Sequence, residues 1–458
     1  MAISLHPRSL AAFGQSGTLA RVPLAGGAPR EVIDKVFWAD WTPDGQSLAV
    51  IRESTVARLH LEFPSGTVIY EPLGWVSHVR FSPSGEFLAI ADHVSGGDDG
   101  RVVIIDDVHG HIKASSSFYA SVEGLAWSPN GNEVWFSAVP AGSARSIYAL
   151  DFSGKERLIY RAPGGLTVQD ISRTGLVLMT ADKTRISISA LAPGETRERS
   201  LSWFDWSLIT DMSADGKTIV FSESGEAEAG NYSIFLRKTD GSPAVRLGDG
   251  GFGFLSPDGQ WVISTVGAPA KLMLLPTGVG EPRQLTDDKL DHSHAAWLPD
   301  SKSIVFTAAE PGHAPRTYLM DIQGGTPRAL TPEGTVGAIV APDGQHILVR
   351  EVKTSQLWLY PTATGEPQKL GLGPSSDEFM IGYAPDGKSI LVGEHSVPLK
   401  IVRMDPATGH REPWKEISPA DPAGVQSIVN IKLSADGKAY AYSTMRLLSD
   451  LYVVDGPK

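Results

Sequence analysis

An all-β fold of stacked four-stranded modules is predicted by three observations in the 458-residue sequence. A tight turn recurs ten times and closes at Gly45, Gly85, Gly131, Gly175, Gly216, Gly259, Ser301, Gly344, Gly387 and Gly437. Its spacings are 40, 46, 44, 41, 43, 42, 43, 43 and 50 residues. Four residues before each closing position stands an apolar residue: Trp41, Phe81, Trp127, Ile171, Met212, Leu255, Trp297, Val340, Tyr383 and Leu433. Three residues after it stands another: Leu48, Leu88, Val134, Leu178, Ile219, Val262, Ile304, Ile347, Ile390 and Tyr440. Units of just over forty residues, each a hairpin plus two further strands, have the length of a propeller blade. The expected architecture is therefore a β-propeller of about ten four-stranded blades.

The same local chemistry justifies each module. The strand entering the turn ends on the first apolar column. The turn is clearest in Trp41-Thr42-Pro43-Asp44-Gly45, Phe81-Ser82-Pro83-Ser84-Gly85, Trp127-Ser128-Pro129-Asn130-Gly131, Leu255-Ser256-Pro257-Asp258-Gly259 and Tyr383-Ala384-Pro385-Asp386-Gly387. There proline sets the first corner, Asp or Asn caps its own backbone, and glycine takes the left-handed conformation that releases an antiparallel strand. The strand leaving the turn carries the second column. Alternate residues of a strand share a face, so both columns are expected between neighbouring blades. Third and fourth strands are read at Ile234-Phe235-Leu236 and Val245-Arg246-Leu247, and again at Tyr318-Leu319-Met320 and Pro327-Arg328-Ala329-Leu330.

The two ends differ from this pattern. Residues 10–33 read as the last three strands of a blade without its first. After Gly437 only two strands follow, around residues 440–443 and 451–454. A closed ring then needs its last blade completed by a strand from elsewhere in the array. Ten motifs fit one large ring or two tandem propellers, and rings of six to eight blades are the commoner kind. The expected division is residues 1–163 as N-terminal blades of an incomplete ring and 164–458 as a seven-bladed propeller, parting at Pro163-Gly164-Gly165.

Composition removes several classes of function. The net charge is −12 and Lys and Arg form no block, so a nucleic-acid groove is not expected. No run approaches the roughly 18 apolar residues of a membrane helix, so no membrane insertion by this chain is expected. The absence of cysteine excludes disulfides, thiol catalysis and Cys-ligated zinc. The first twenty residues are interrupted by His6, Pro7, Arg8, Ser9, Gln15 and Ser16, and read as blade sequence rather than a signal peptide.

Candidate chemistry is sparse. A hydrolase of the nucleophile-elbow type needs Gly-x-Ser-x-Gly, which does not occur. Asp291, His292 and His294 are weak metal candidates, because residues at i and i+2 share a strand face. Seven residues before each closing position stand Trp38, His78, Gly124, Val168, Ile209, Phe252, His294, Gly337, Met380 and Asn430. That ring is mostly apolar or small, which favours channel-mouth histidines bonded to backbone or water. No metal and no cofactor are expected. The loop Gly96-Gly97-Asp98-Asp99-Gly100 lacks the alternating ligands of a calcium loop and reads as a solvated hairpin. Trp203-Phe204-Asp205-Trp206 is expected to serve blade packing, with a surface patch as the alternative. The binding-surface candidates are Trp203, Phe204, Trp206, His78 and His294.

The repeated Trp/Leu-Ser-Pro-Asp-Gly signature resembles the WD40-like repeats of TolB-type proteins and of propellers attached to dipeptidyl-peptidase-like enzymes. Several stretches are more specifically similar to the C-terminal sensor regions of bacterial, acidobacterial-type membrane-bound serine/threonine kinases. They are Gly17-Thr18-Leu19-Ala20, Gly26-Gly27-Ala28-Pro29-Arg30-Glu31, Gly124-Leu125-Ala126-Trp127-Ser128-Pro129, Arg237-Lys238-Thr239-Asp240-Gly241-Ser242-Pro243 and Leu448-Ser449-Asp450-Leu451-Tyr452. In those proteins a cytoplasmic kinase and a membrane helix precede the propellers. The chain itself has no Gly-rich kinase loop, His-Arg-Asp or Asp-Phe-Gly. The resemblance implies a non-catalytic sensor module outside the cytoplasm, not an enzyme, with a protein or small-molecule ligand and a kinase or envelope partner. The alternative it implies is a TolB-like envelope scaffold that docks partner proteins. A third reading is a metal-dependent lactonase or lyase using channel residues near His294.

Overall fold

A computed structural model describes residues 2–456 apart from 12–13, 24, 54–58, 73, 94–97, 107–108, 141–143, 163, 224–231, 268 and 376–377. Among these residues every regular element is a strand, and the fold is a β-propeller. The turns form as their chemistry dictates. In the first, Gly45 N donates to Thr42 O at 2.8 Å, Asp44 Oδ1 accepts from Gln46 N at 3.0 Å, and Gly45 adopts φ 70°. Ser301 occupies the closing position of its turn at φ 55°, where nine other copies use glycine.

The chain forms two compact units, Met1–Lys183 with Leu447–Lys458, and Thr184–Arg446. The second unit is a closed ring of six blades among the described residues. Five are antiparallel sheets in simple chain order, the first made of Leu208–Met212, Thr218–Glu223, Ser233–Lys238 and Val245–Asp249, the fifth ending with Arg411–Ile417. The sixth draws on both ends of the unit: Val425–Leu433, residues 440–446 of Tyr440–Asp455, residues 184–191 of Leu176–Leu191, and Arg199–Ser200. Ile209 N donates to Ser443 Oγ at 2.8 Å and Asn430 Nδ2 donates to Ile209 O at 2.8 Å, tying this blade to the first. Ile188, Ala190 and Ala441 pack there against Ile209, Met212 and Phe221.

In the first unit Ala2–Ala11, Gly14–Arg21 and the first half of Arg30–Trp41 form three strands. Three four-stranded blades follow, ending at Val68–Tyr70, Ile112–Ser115 and Glu156–Tyr160. Gly165–Ile171, residues 176–183 and residues 447–455 complete the unit. The division of the chain therefore differs from the boundary expected at residue 163, and the second unit holds six blades where seven were expected. Motif counting assigns whole blades, whereas Leu176–Leu191 and Tyr440–Asp455 each supply strand residues to both units without an intervening turn. Pro163 lies outside the described residues.

Both apolar columns pack between blades. Trp127 and Trp297 are buried, and their indole N–H groups donate across to Arg80 O at 3.0 Å and Phe254 O at 2.9 Å. In the fourth copy the turn is one residue shorter: Ser172 N pairs with Leu176 O, where Ser128 N pairs with Glu133 O. Val177 therefore takes the buried position that spacing gave to Leu178.

The position seven residues before the turn is where the innermost strands kink. Register shifts occur at Val36/Trp38, Ser77/Arg80, Glu123/Leu125, Val168/Asp170, Ile209/Asp211, His292/His294, Val336/Ile339, Met380/Gly382 and Ile428/Asn430. Such bulges re-aim side chains and free an amide for the neighbouring blade. Val168 N, for example, donates to Ser137 Oγ at 2.8 Å.

Candidate functional site

The bulge decides the fate of the histidine pair. His292 lies opposite Ala308 and His294 opposite Thr307, so two residues on one strand face neighbours only one residue apart on the next. Their i, i+2 spacing consequently fails to place them on a common face. His292 is buried, with Nδ1 2.8 Å from Ala270 O and its ring 5.1 Å from Phe306. The Asp291 carboxylate accepts from Ala270 N at 2.8 Å. His294 instead meets Phe254 edge-on at 4.9 Å, and burial together with the charge of Lys432 pushes its pKa down to about 4. The two-histidine ligand geometry on which the lactonase or lyase reading rests is not formed.

His78, in the first unit, adopts φ 52°, a left-handed conformation uncommon for a residue with a side chain. Ser77 Oγ lies 2.8 Å from both His78 Nδ1 and His93 Nε2, and His93 Nδ1 lies 3.2 Å from Asp99 O. Trp75 stacks on His93 at 4.0 Å and Trp38 lies 5.4 Å from His78. Burial, reinforced by the charges of Arg80, His93 and Arg145, pushes the His78 pKa down to about 3, and burial lowers that of His93. Both rings are neutral at neutral pH. Ser77 is fully enclosed, so the arrangement is a satisfied internal network. Of the acidic loop, Gly96 and Gly97 lie outside the described residues; Asp98 accepts from Ser121 Oγ at 2.5 Å and stands 3.7 Å from Arg145.

The aromatic loop of the second unit has a different character. Trp203 and Phe204 are 38% and 42% exposed, and Trp206 is half-buried, so the loop contributes less to packing than expected. Its shape is fixed from beneath by Glu223, which is fully buried. The Glu223 carboxylate accepts from Ser207 Oγ at 2.6 Å, Trp206 N at 2.8 Å and Phe204 N at 3.4 Å. Burial nevertheless raises its pKa above the ordinary carboxyl value, against the pull of these donors. Arg237 braces the loop by donating to Leu201 O at 2.8 Å and Ser202 O at 3.2 Å, with its guanidinium 5.4 Å from the Trp203 ring.

Two more aromatic residues stand at this end of the blade. Glu223 pairs with Ser233, next to Tyr232, and Gly250 N donates to Tyr232 O at 2.9 Å just before Phe252. Tyr232 and Phe252 are 42% and 45% exposed. The result is an aromatic rim of Trp203, Phe204, Tyr232 and Phe252. Sequence reasoning singled out the first two. It missed Tyr232 and the anchor Glu223, which no local motif marks, although Phe252 stood in the column seven residues before the turn.

No known family model matches the chain. A curated relative, the uncharacterized peptidase YuxL of Bacillus subtilis (strain 168), is 27% identical over 25% of this chain and 22% of its own length. The chain thus spans less than a quarter of that relative. Solved structures of similar fold include a putative TolB from Agrobacterium tumefaciens, with TM-score 0.44 and 21% identity over 57% of this chain and 98% of that one. An oligogalacturonate lyase from Vibrio parahaemolyticus has TM-score 0.39 and 16% identity over 56% and 77%. The likeness to a peptidase overturns the expectation that the chain is not an enzyme. The resemblance to kinase sensor regions gains no support from these proteins.

Proposed function

We propose that the chain is the substrate-recognition propeller of a peptidase-type enzyme, and that an extended peptide lies on the rim of Trp203, Phe204, Tyr232 and Phe252. The observation that carries this reading is the seating of exposed aromatic side chains on a buried carboxylate, since a fixed aromatic surface binds with little ordering cost. The likeness to YuxL supports peptide as the ligand class. These residues contain no Gly-x-Ser-x-Gly elbow, so cleavage in this reading is performed by a hydrolase unit acting together with the propeller.

Titration of tryptophan emission with a degenerate decapeptide mixture tests the proposal. Saturable binding by the wild type, weakened about tenfold or more in Trp203→Ala and Phe204→Ala, is the expected result. Equal binding by wild type and both variants would overturn it. Docking of a partner protein, as in TolB-type scaffolds, is a second reading favoured by the turn signature. It predicts retention of a folded envelope protein by the same rim without affinity for short peptides.

A further inference from the structure

The strand Tyr440–Asp455 changes character part-way along. Its first residues pair with Val425–Leu433, and that pairing stops at Arg446. Beyond it the strand runs beside Leu176–Leu191, with Ser449 Oγ donating to Asp182 at 2.7 Å and Gly456 N to Gly175 O at 3.1 Å. Among the described residues no strand pairs with its other edge. Elsewhere in this unit the third strand of a blade is followed by a fourth: Leu59–Glu62 by Val68–Tyr70, Gly100–Asp106 by Ile112–Ser115, Ser146–Asp151 by Glu156–Tyr160. Among the described residues no fourth strand follows in this sheet. Residues 448–455 are exposed on both faces, with Leu448 at 52%, Leu451 at 65%, Tyr452 at 48%, Val453 at 63% and Val454 at 37%. An open edge with apolar side chains on both faces is a template for another strand.

We infer that residues 448–455 form the contact of a homodimer, in which the same strand of a second copy adds antiparallel to this edge. The pattern is self-complementary. About a two-fold axis at Tyr452, Leu451 meets Val453 of the second copy, Asp450 meets Val454 and Ser449 meets Asp455. No carboxylate opposes another. Parallel in-register pairing would set Asp450 against Asp450 and Asp455 against Asp455, which like-charge repulsion disfavours. A C2 arrangement is also the commonest closed symmetry and leaves no edge for further growth. The five apolar side chains expose roughly 500 Å² per copy, about 1,000 Å² for two copies, the size range of weak, transient interfaces. This surface belongs to the first unit and is independent of the peptide-binding reading of the second.

Sedimentation velocity from about 1 to 200 μM chain tests the inference, spanning the weak-interface range. The wild type is expected to pass from monomer to dimer. Leu451→Lys and Val453→Lys each place cations in the symmetric contact and are expected to weaken dimerisation at least tenfold, while Val279→Lys, at a fully exposed position in the other unit, leaves it unchanged. Both lysines replace exposed side chains, and unchanged circular dichroism verifies folding. A wild type that stays monomeric throughout leaves the edge to some other occupant and overturns the proposal. A dimer insensitive to both lysines overturns it as well.

Discussion

Replacing Glu223 by alanine tests the seat of the aromatic rim. Its carboxylate receives one short bond from Ser207 Oγ, one good bond from Trp206 N and one long bond from Phe204 N. Hydrogen bonds to a charged group contribute about 1.5–3 kcal/mol each. The burial that raises the Glu223 pKa cancels part of this sum, and an opened loop would recover water for its amides. A net loss of about 2–4 kcal/mol for the 184–446 unit is expected. Glu223→Gln keeps the shape but turns an NH2 group toward donors, and should lose about half as much.

Urea unfolding followed by tryptophan emission measures the loss, and hydrogen exchange at the amides of residues 203–207 locates it. The pH dependence has a definite sign. Because the native state holds the Glu223 proton more readily than the unfolded chain, this carboxyl's contribution to stability falls as pH rises from the ordinary value of 4.5 through its raised native value. Glu223→Gln should flatten that portion of the profile. A loss below about 0.5 kcal/mol in both variants, with unaltered exchange at residues 203–207, would refute the anchoring role.

Other expected outcomes rest on single residues. Trp127→Ala should cost about 3–5 kcal/mol in chemical denaturation, and Trp127→Phe, which chiefly strands the Arg80 carbonyl, about 1–2 kcal/mol. Ser301→Gly relieves a left-handed serine at the loss of the 3.1 Å bond from Asp258 N, and should raise stability by about 0.5 kcal/mol. His78, neutral in the folded state, should make the first unit lose stability as pH falls from 6.5 toward about 3, because the unfolded chain takes up the proton first. His78→Asn, which tolerates the left-handed backbone, should flatten a melting profile over that range.

The blade repeat was legible because its causes are local. A proline-asparagine or proline-aspartate turn and two apolar columns act within eight residues, as Trp127 and Val134 do across their hairpin. Departures came from geometry that spacing does not register. One residue fewer in the turn at Gly175 moved the buried position to Val177. The bulge at His292/His294 separated a pair that strict alternation would have joined. The site was less readable still, since Glu223 acts on a loop more than fifteen residues upstream and earns its role only through burial. The unit boundary lies beyond the turn at residue 163 where it was expected, because Leu176–Leu191 and Tyr440–Asp455 pass from one unit to the other without a turn.

The sixth blade also constrains how the protein is made. Ile209 N must wait for Ser443 Oγ, 234 residues later, so the ring cannot close until residue 443 has left the ribosome. During synthesis Ile188 and Ile209 lack Ala441, their apolar cover from the far end of the ring. Messages truncated before residue 440 should therefore yield sticky, protease-sensitive products, and the last step of maturation should be slow relative to the hairpins that precede it.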